Sequence, residues 1–86
     1  MNDRSPIALI SGAGSGIGRA TARKFLSNGY RVILVGRTKG TLLETASESL
    51  SADVRVCDVT DVIAVTEVFK KVESDYGRLD VLFNNA

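Results

Sequence analysis

The run Ser11-Gly12-Ala13-Gly14-Ser15-Gly16-Ile17-Gly18 limits what this chain can fold into more than any other segment. It follows a short apolar stretch, Ile7-Ala8-Leu9-Ile10, and opens a segment that predicts a helix from Gly16 or Ile17 to about Asn28. Strand, glycine-rich turn and helix in that order make a cradle for a pyrophosphate. Glycines allow the tight turn and let phosphates approach with no Cβ in the way. The free N–H groups and the positive dipole end of the helix then meet the negative charge. The segment therefore predicts a dinucleotide-binding βαβ unit.

The spacing of the glycines refines this. A G-x-G-x-x-G fingerprint needs a third glycine three residues after the second. Counting from Gly12 and Gly14, that place is Ile17; counting from Gly14 and Gly16, it is Arg19. The pattern that fits is G-x-x-x-G-x-G, at Gly12, Gly16 and Gly18. A glycine-rich loop can also exist with no ligand, but here a strand and a helix flank it in the required order.

The rest of the chain continues the alternation. Arg31-Val32-Ile33-Leu34-Val35 predicts a second strand, and Lys39–Leu50 a second helix with Leu43, Ala46 and Leu50 on its apolar side. In the first helix the apolar side is read as Ile17, Ala20, Thr21 and Phe25, with Gly29 as the stop. Val54–Cys57 predicts a third strand. Thr60 or Asp61 can cap a third helix, Val62–Tyr76, whose Val62, Val65, Phe69, Val72 and Tyr76 make one apolar face ended by Gly77. Leu79–Phe83 predicts a fourth strand, followed by Asn84-Asn85-Ala86.

Such β-α-β-α-β-α-β alternation implies a parallel sheet with right-handed crossovers. The fold class is α/β, a Rossmann-type doubly wound sheet with strand order 3-2-1-4. The first two helices are expected on one face and the third on the other. Ligands sit where the strand order reverses, beyond the carboxyl ends of the strands. The glycine loop and Asn84-Asn85 both fall there.

Bulk properties narrow the partners. The 86 residues are fewer than the ~100–150 of a typical domain, so one domain or part of one is expected. Eleven basic and ten acidic residues give a net charge of +1, which offers no electrostatic footprint for nucleic acid or an anionic membrane. No stretch approaches the ~20 apolar residues of a membrane helix, and the polar N-terminus lacks the apolar core of a signal peptide. Cys57 is the only cysteine and the chain has no histidine. Cys57 is therefore read as a small buried residue and the compartment as reducing and cytoplasmic.

The motifs resemble those of the short-chain dehydrogenases/reductases. Ser11 to Gly18 is similar to that family's T-G-x-x-x-G-I-G, with Ser11 in place of threonine. Asp58-Val59 is similar to its D-V or D-L pair after the third strand, and Leu79 to Ala86 to its fourth strand and the start of N-N-A-G. The resemblance covers nearly the whole chain. It implies that residues 1–86 are the N-terminal part of one NAD(P)-binding Rossmann domain, with the catalytic part absent. The family's catalytic serine and Tyr-x-x-x-Lys pair have no counterpart here: four residues after Tyr30 and Tyr76 stand Leu34 and Asp80. Neither a catalytic residue nor a metal ligand is assigned.

The resemblance also suggests the cofactor contacts. Gly12, Gly14, Ser15, Gly16, Ile17 and Gly18 would hold the pyrophosphate. In NAD-binding relatives an acid at the end of the second strand binds the adenosine ribose. Here Gly36 stands in that place, followed by Arg37 and Thr38, which can hold a 2′-phosphate. NADP(H) is favoured over NAD(H), although Ser15 stands where many NADP-binding relatives carry a basic residue. Asp58 and Val59 would meet the adenine, and Asn84 and Ala86 the ribose, while Asn85 would hold neighbouring strand ends together and the Ser11 hydroxyl would hydrogen-bond backbone near Asn84-Asn85-Ala86.

The implied activity of the complete protein is hydride transfer between NADP(H) and a small-molecule alcohol or carbonyl, and that protein is open to homo-oligomer formation. Two other readings remain: a truncated, non-catalytic nucleotide-binding fragment, and an incomplete sequence of an ordinary reductase.

Overall fold

A computed structural model describes residues 5–85. The elements are β1 (Ile7–Ser11), α1 (Gly16–Ser27), β2 (Arg31–Gly36), α2 (Lys39–Ala46), β3 (Ala52–Val56), α3 (Val62–Tyr76) and β4 (Val81–Phe83). The four strands form one sheet in the order β3-β2-β1-β4, and every neighbouring pair is parallel. The two central strands are apolar and buried on both faces, as parallel strands under helices must be.

Alternation along β1 and β2 divides the core in two. Ala8, Ile10, Val32 and Leu34 point to one face and pack with Ala22 of α1 and Leu42 and Ala46 of α2. Ile7, Leu9, Ile33 and Val35 point to the other and pack with Val72 of α3. The first two crossovers thus lie on one face and the third on the opposite face, as the reversal of strand order requires.

Several expected details shift. Helix α2 ends at Ala46 rather than Leu50, because Ser47 adopts φ 52°, a conformation that cannot continue a right-handed helix. Its buried residues are Leu42, Thr45 and Ala46, whereas Leu43 is exposed and Leu50 is 90% exposed. In α1, Ile17 is 69% exposed and Ala22 carries the burial instead. In α3, Val65, Val68, Val72 and Tyr76 face the sheet, while Val62 and Phe69 are exposed. Strand β3 spans Ala52–Val56, with Val32 opposite Ala52 and Gly36 opposite Val56, so Cys57 lies just past its end. Strand β4 begins at Val81. Leu79 packs under α3 instead, and the Asp80 carboxylate accepts from the Ile7 N–H at 2.7 Å. The cap of α3 is Asp61, whose Oδ1 accepts from the N–H groups of Ile63 and Ala64, and Gly77 closes the helix at φ 75°.

A polar network joins α3 to the outer strand β3. Arg55 grips Asp53 with two donors, at 2.8 and 3.1 Å, and reaches Asp75 at 2.7 Å. The Tyr76 hydroxyl also donates to Asp53, and the Arg31 guanidinium lies 5.5 Å from the Tyr76 ring centre. Burial draws the Asp53 carboxyl up. Hydrogen bonds from Arg55 and Tyr76 and the charges of Arg55 and Arg31 outweigh this and hold it below its ordinary 3.8.

A carboxyl depressed in the folded state adds stability above its unfolded value, and that stability is lost as pH falls toward the folded value. Stability is therefore expected to decline on acidification below about pH 4. Tyr76→Phe removes one donor to Asp53, which should cost about 1 kcal/mol at neutral pH and flatten the acid decline. Denaturant unfolding of both proteins across this range checks it. Parallel pH curves would exclude Tyr76 as a partner that matters to Asp53.

Candidate functional site

The carboxyl ends of the four strands bring together the segments that follow them. The glycine-rich loop follows β1, Arg37 and Thr38 follow β2, Cys57, Asp58 and Val59 follow β3, and Asn84-Asn85 follow β4. The order reverses between β1 and β4, so these segments border one crevice. Ser15, Gly16, Ile17, Arg37, Thr38, Asp58 and Asn84 are all exposed along it, and Val59 is half-buried. Ala86 lies outside the described residues.

The glycines of the loop have different causes. A Cβ on Gly12 would overlap the Asn85 carbonyl oxygen, and one on Gly18 would overlap the Gly12 carbonyl. A Cβ on Gly14 would run into the Thr41 hydroxyl. These three glycines allow the protein to pack against itself. Gly16 differs: at φ 55°, its missing side chain faces open space, with no atom from a more distant part of the chain within 4 Å. The loop is thus packed against the protein at Gly12, Gly14 and Gly18 and open at Gly16.

Behind that clear side lies the first turn of α1. Its N–H groups have no partner within the helix, and the turn holds no acidic residue. The N-cap Ser15 makes no side-chain cap bond. A positive dipole end, exposed donors and room at Gly16 together suit an anion.

The end of β1 is tied to the end of β4. The Ser11 hydroxyl donates to Asn84 Oδ1 at 2.9 Å and accepts from the Asn85 N–H at 2.9 Å. The hydroxyl that replaces threonine in the motif therefore does what was expected of it. Asn85 is half-buried with its carbonyl against Gly12, which fits a structural role.

On the β2–β3 side, Arg37 follows Gly36, and no acidic side chain stands at the strand end. The Asp58 carboxyl is held below its ordinary value by the Thr60 hydroxyl and then the Thr60 N–H, at 2.7 and 2.9 Å. The charge of Arg37 adds to this and slight burial opposes it. Cys57 is buried, and burial together with the charges of Asp61 and Asp58 pushes its thiol up, away from a reactive thiolate. A pocket of about 190 Å³ lies between α3 and the sheet, with Ser11, Val35, Val59, Val65, Leu82 and Asn84 among its walls.

Sequence reasoning missed two residues that support the loop, Arg19 and Thr45. Thr45 is 1% exposed and its hydroxyl donates to the Ala13 carbonyl at 2.6 Å. The available signal was a polar residue flanked by Leu42 and Ala46 on the buried side of α2.

The sequence matches the short chain dehydrogenase family over residues 6–86. It is 45% identical over 86 residues to sulfoacetaldehyde reductase 2 of Chromohalobacter salexigens, covering 95% of this chain and 34% of that protein. The fold is similar to that of an actinorhodin polyketide ketoreductase variant solved with NADPH, with a TM-score of 0.89, 38% identity and coverage of 99% of this chain and 34% of the other. It is also similar to a metagenomic short-chain oxidoreductase in complex with NADP (TM-score 0.90, 36% identity, 99% and 41% coverage). A 3-ketoacyl-(acyl-carrier-protein) reductase of Brucella melitensis, solved with NADH, matches at a TM-score of 0.82 and 32% identity, over 90% of this chain and 32% of that one. The chain spans about a third of the length of such relatives. Among the described residues, no helix is long and apolar enough to cross a membrane.

Proposed function

The chain belongs to the short chain dehydrogenase family, and from that premise we propose that residues 1–86 are the NADP(H)-binding, N-terminal part of one Rossmann domain. The complete protein would be a cytoplasmic reductase. The observation that carries this reading is the crevice itself, with the N-terminus of α1 and the open space beside Gly16 at one end and, at the other, Arg37 directly after a β2 that ends in Gly36 rather than an acid.

Gly14, Ser15, Gly16 and Ile17 would present N–H groups to the pyrophosphate, and Gly12 and Gly18 keep the loop in that shape. Arg37 and Thr38 would hold the 2′-phosphate through charge-assisted hydrogen bonds. Asp58 would accept from the adenine amino group while Val59 supplies an apolar wall. Asn84 and Ala86 would line the ribose. When bound, the nicotinamide supplies the hydride that passes to a carbonyl or returns from an alcohol. Within these 86 residues there is no Tyr-x-x-x-Lys pair, so the acid and base of that reaction are assigned to residues outside them.

The NADH complex of one structural neighbour keeps NAD(H) as the second reading. Titration of the purified protein with NADPH and NADH, followed by nucleotide fluorescence, tests both. We expect NADPH to bind at least about tenfold more tightly, the size of one charge-assisted contact. Equal affinities would overturn the NADP assignment, and binding of neither would overturn the nucleotide reading.

A further inference from the structure

One side chain binds the back of the glycine-rich loop without facing the crevice. Arg19, on the first turns of α1, donates through Nη2 to the Gly14 carbonyl at 2.6 Å and to the Thr41 carbonyl at 3.1 Å. Its Nε donates to the Thr45 hydroxyl at 3.0 Å, and that hydroxyl donates onward to the Ala13 carbonyl at 2.6 Å. Glu44 stands 3.8 Å from the guanidinium. Two successive loop carbonyls, of Ala13 and Gly14, are thereby turned toward α2 and held there. On its other side, the Ala13 N–H donates to the Val35 carbonyl at 3.1 Å.

The direction of those carbonyls matters to an anion. A peptide unit with its oxygen turned back presents its positive end forward. If it rotated by half a turn, its partial negative charge would face the phosphates. A peptide next to glycine rotates easily, since no Cβ restricts it. Gly14 sits in such a place, and Arg19 supplies the donor that opposes the rotation. The guanidinium is suited to this because it is a planar fork with several donors at fixed angles, which a lysine ammonium is not.

We propose that Arg19 is a positioning residue for the dinucleotide pyrophosphate, holding the Ala13 and Gly14 carbonyls against α2 so that the loop N–H groups stay aimed at the crevice. This rests on the nucleotide-binding reading above. Arg23 offers a matched comparison. It sits one turn further along α1 and also bonds α2, through the carbonyls of Glu44 at 2.9 Å and Thr45 at 3.5 Å, but it makes no bond to the loop.

The test uses the natural protein at its full length, with NADPH and NADH as probes and thermal unfolding measured alongside. Arg19→Gln is expected to weaken both dinucleotides by the same factor, roughly 10- to 100-fold, because the pyrophosphate is common to both. KM for the dinucleotide should rise while kcat changes by less than about threefold, as expected for lost ground-state binding. Arg23→Gln should lower the unfolding temperature comparably yet leave both affinities within about twofold. Arg19→Lys keeps a charged donor group without the planar fork and should recover part of the loss. If Arg19→Gln does not fold, Thr45→Val, which removes the relay to Ala13, carries the same expectation. Equal affinity losses for the Arg19 and Arg23 variants would overturn the proposal, as would wild-type affinity in Arg19→Gln. Wild-type protein that binds neither nucleotide would instead overturn the reading beneath it.

Discussion

Arg37→Asp is expected to exchange the preferred cofactor, lowering the ratio of NADPH to NADH affinity by roughly 10- to 100-fold, as loss of a charge-assisted contact implies. Two effects add in one direction. The variant loses the cation that directly follows β2 and places a carboxylate where a 2′-phosphate would sit. The same carboxylate can accept from the free ribose hydroxyls of NADH. The substitution belongs at position 37 rather than 36, because a Cβ on Gly36 would lie 3.0 Å from the Leu42 side chain and push on the core of α2. Dissociation constants for both nucleotides, measured on both proteins, check the expectation. An unchanged ratio would place recognition of the 2′ position elsewhere.

The second large effect concerns folding. Gly18→Ala should lower the unfolding temperature by roughly 10–20 °C, because overpacking costs about 1–3 kcal/mol and occasionally more, and a domain of this size shifts by about 4–8 °C per kcal/mol. The new methyl would overlap the Gly12 carbonyl, and Gly12 is pinned in turn against the Asn85 carbonyl. Both obstacles are backbone, so no side chain can swing aside. Gly16→Ala is the contrast. Its methyl meets nothing, and only the positive φ opposes it, at about 1 kcal/mol. Thermal unfolding of the two variants separates these causes. Equal shifts would mean that the Gly18 contact relaxes at little cost.

These two glycines also show how far the sequence could be read. Four strands, three helices and their order were legible because apolar runs of four or five residues alternate with helical periodicity and end at Gly29 and Gly77. A cap at Thr60 or Asp61 and a hydrogen bond from Ser11 to the Asn84-Asn85 segment were legible because each depends on local chemistry or on a motif, and the structure selects Asp61 for the cap. Which face of α2 is buried was not. Leu42 and Leu43 are adjacent and identical, so periodicity fits either, and only the docking of α2 over Gly36 selects Leu42. The end of α2 was hidden for a similar reason: nothing in Ser47 itself forces a positive φ. Arg19 and Thr45 were invisible as a pair because they stand 26 positions apart and are brought together only by the packing of α1 on α2.

The bridge from Ser11 to Asn84 and Asn85 spans 73 and 74 residues of chain. It sets a timetable. β1 lies between β2 and β4, yet β4 leaves the ribosome well after β1, β2 and β3. Because chains are made from the N-terminus at about 5–20 residues per second, the glycine-rich loop waits several seconds for the partner that fixes Gly12. Until then β1 can pair with β2 alone, and the loop lacks the Asn85 carbonyl that defines its shape. Nascent chains stalled before Asn84 should therefore show a protected β1–β2 pair and no retention on a nucleotide resin, and nucleotide capture should begin only as β4 closes the crevice.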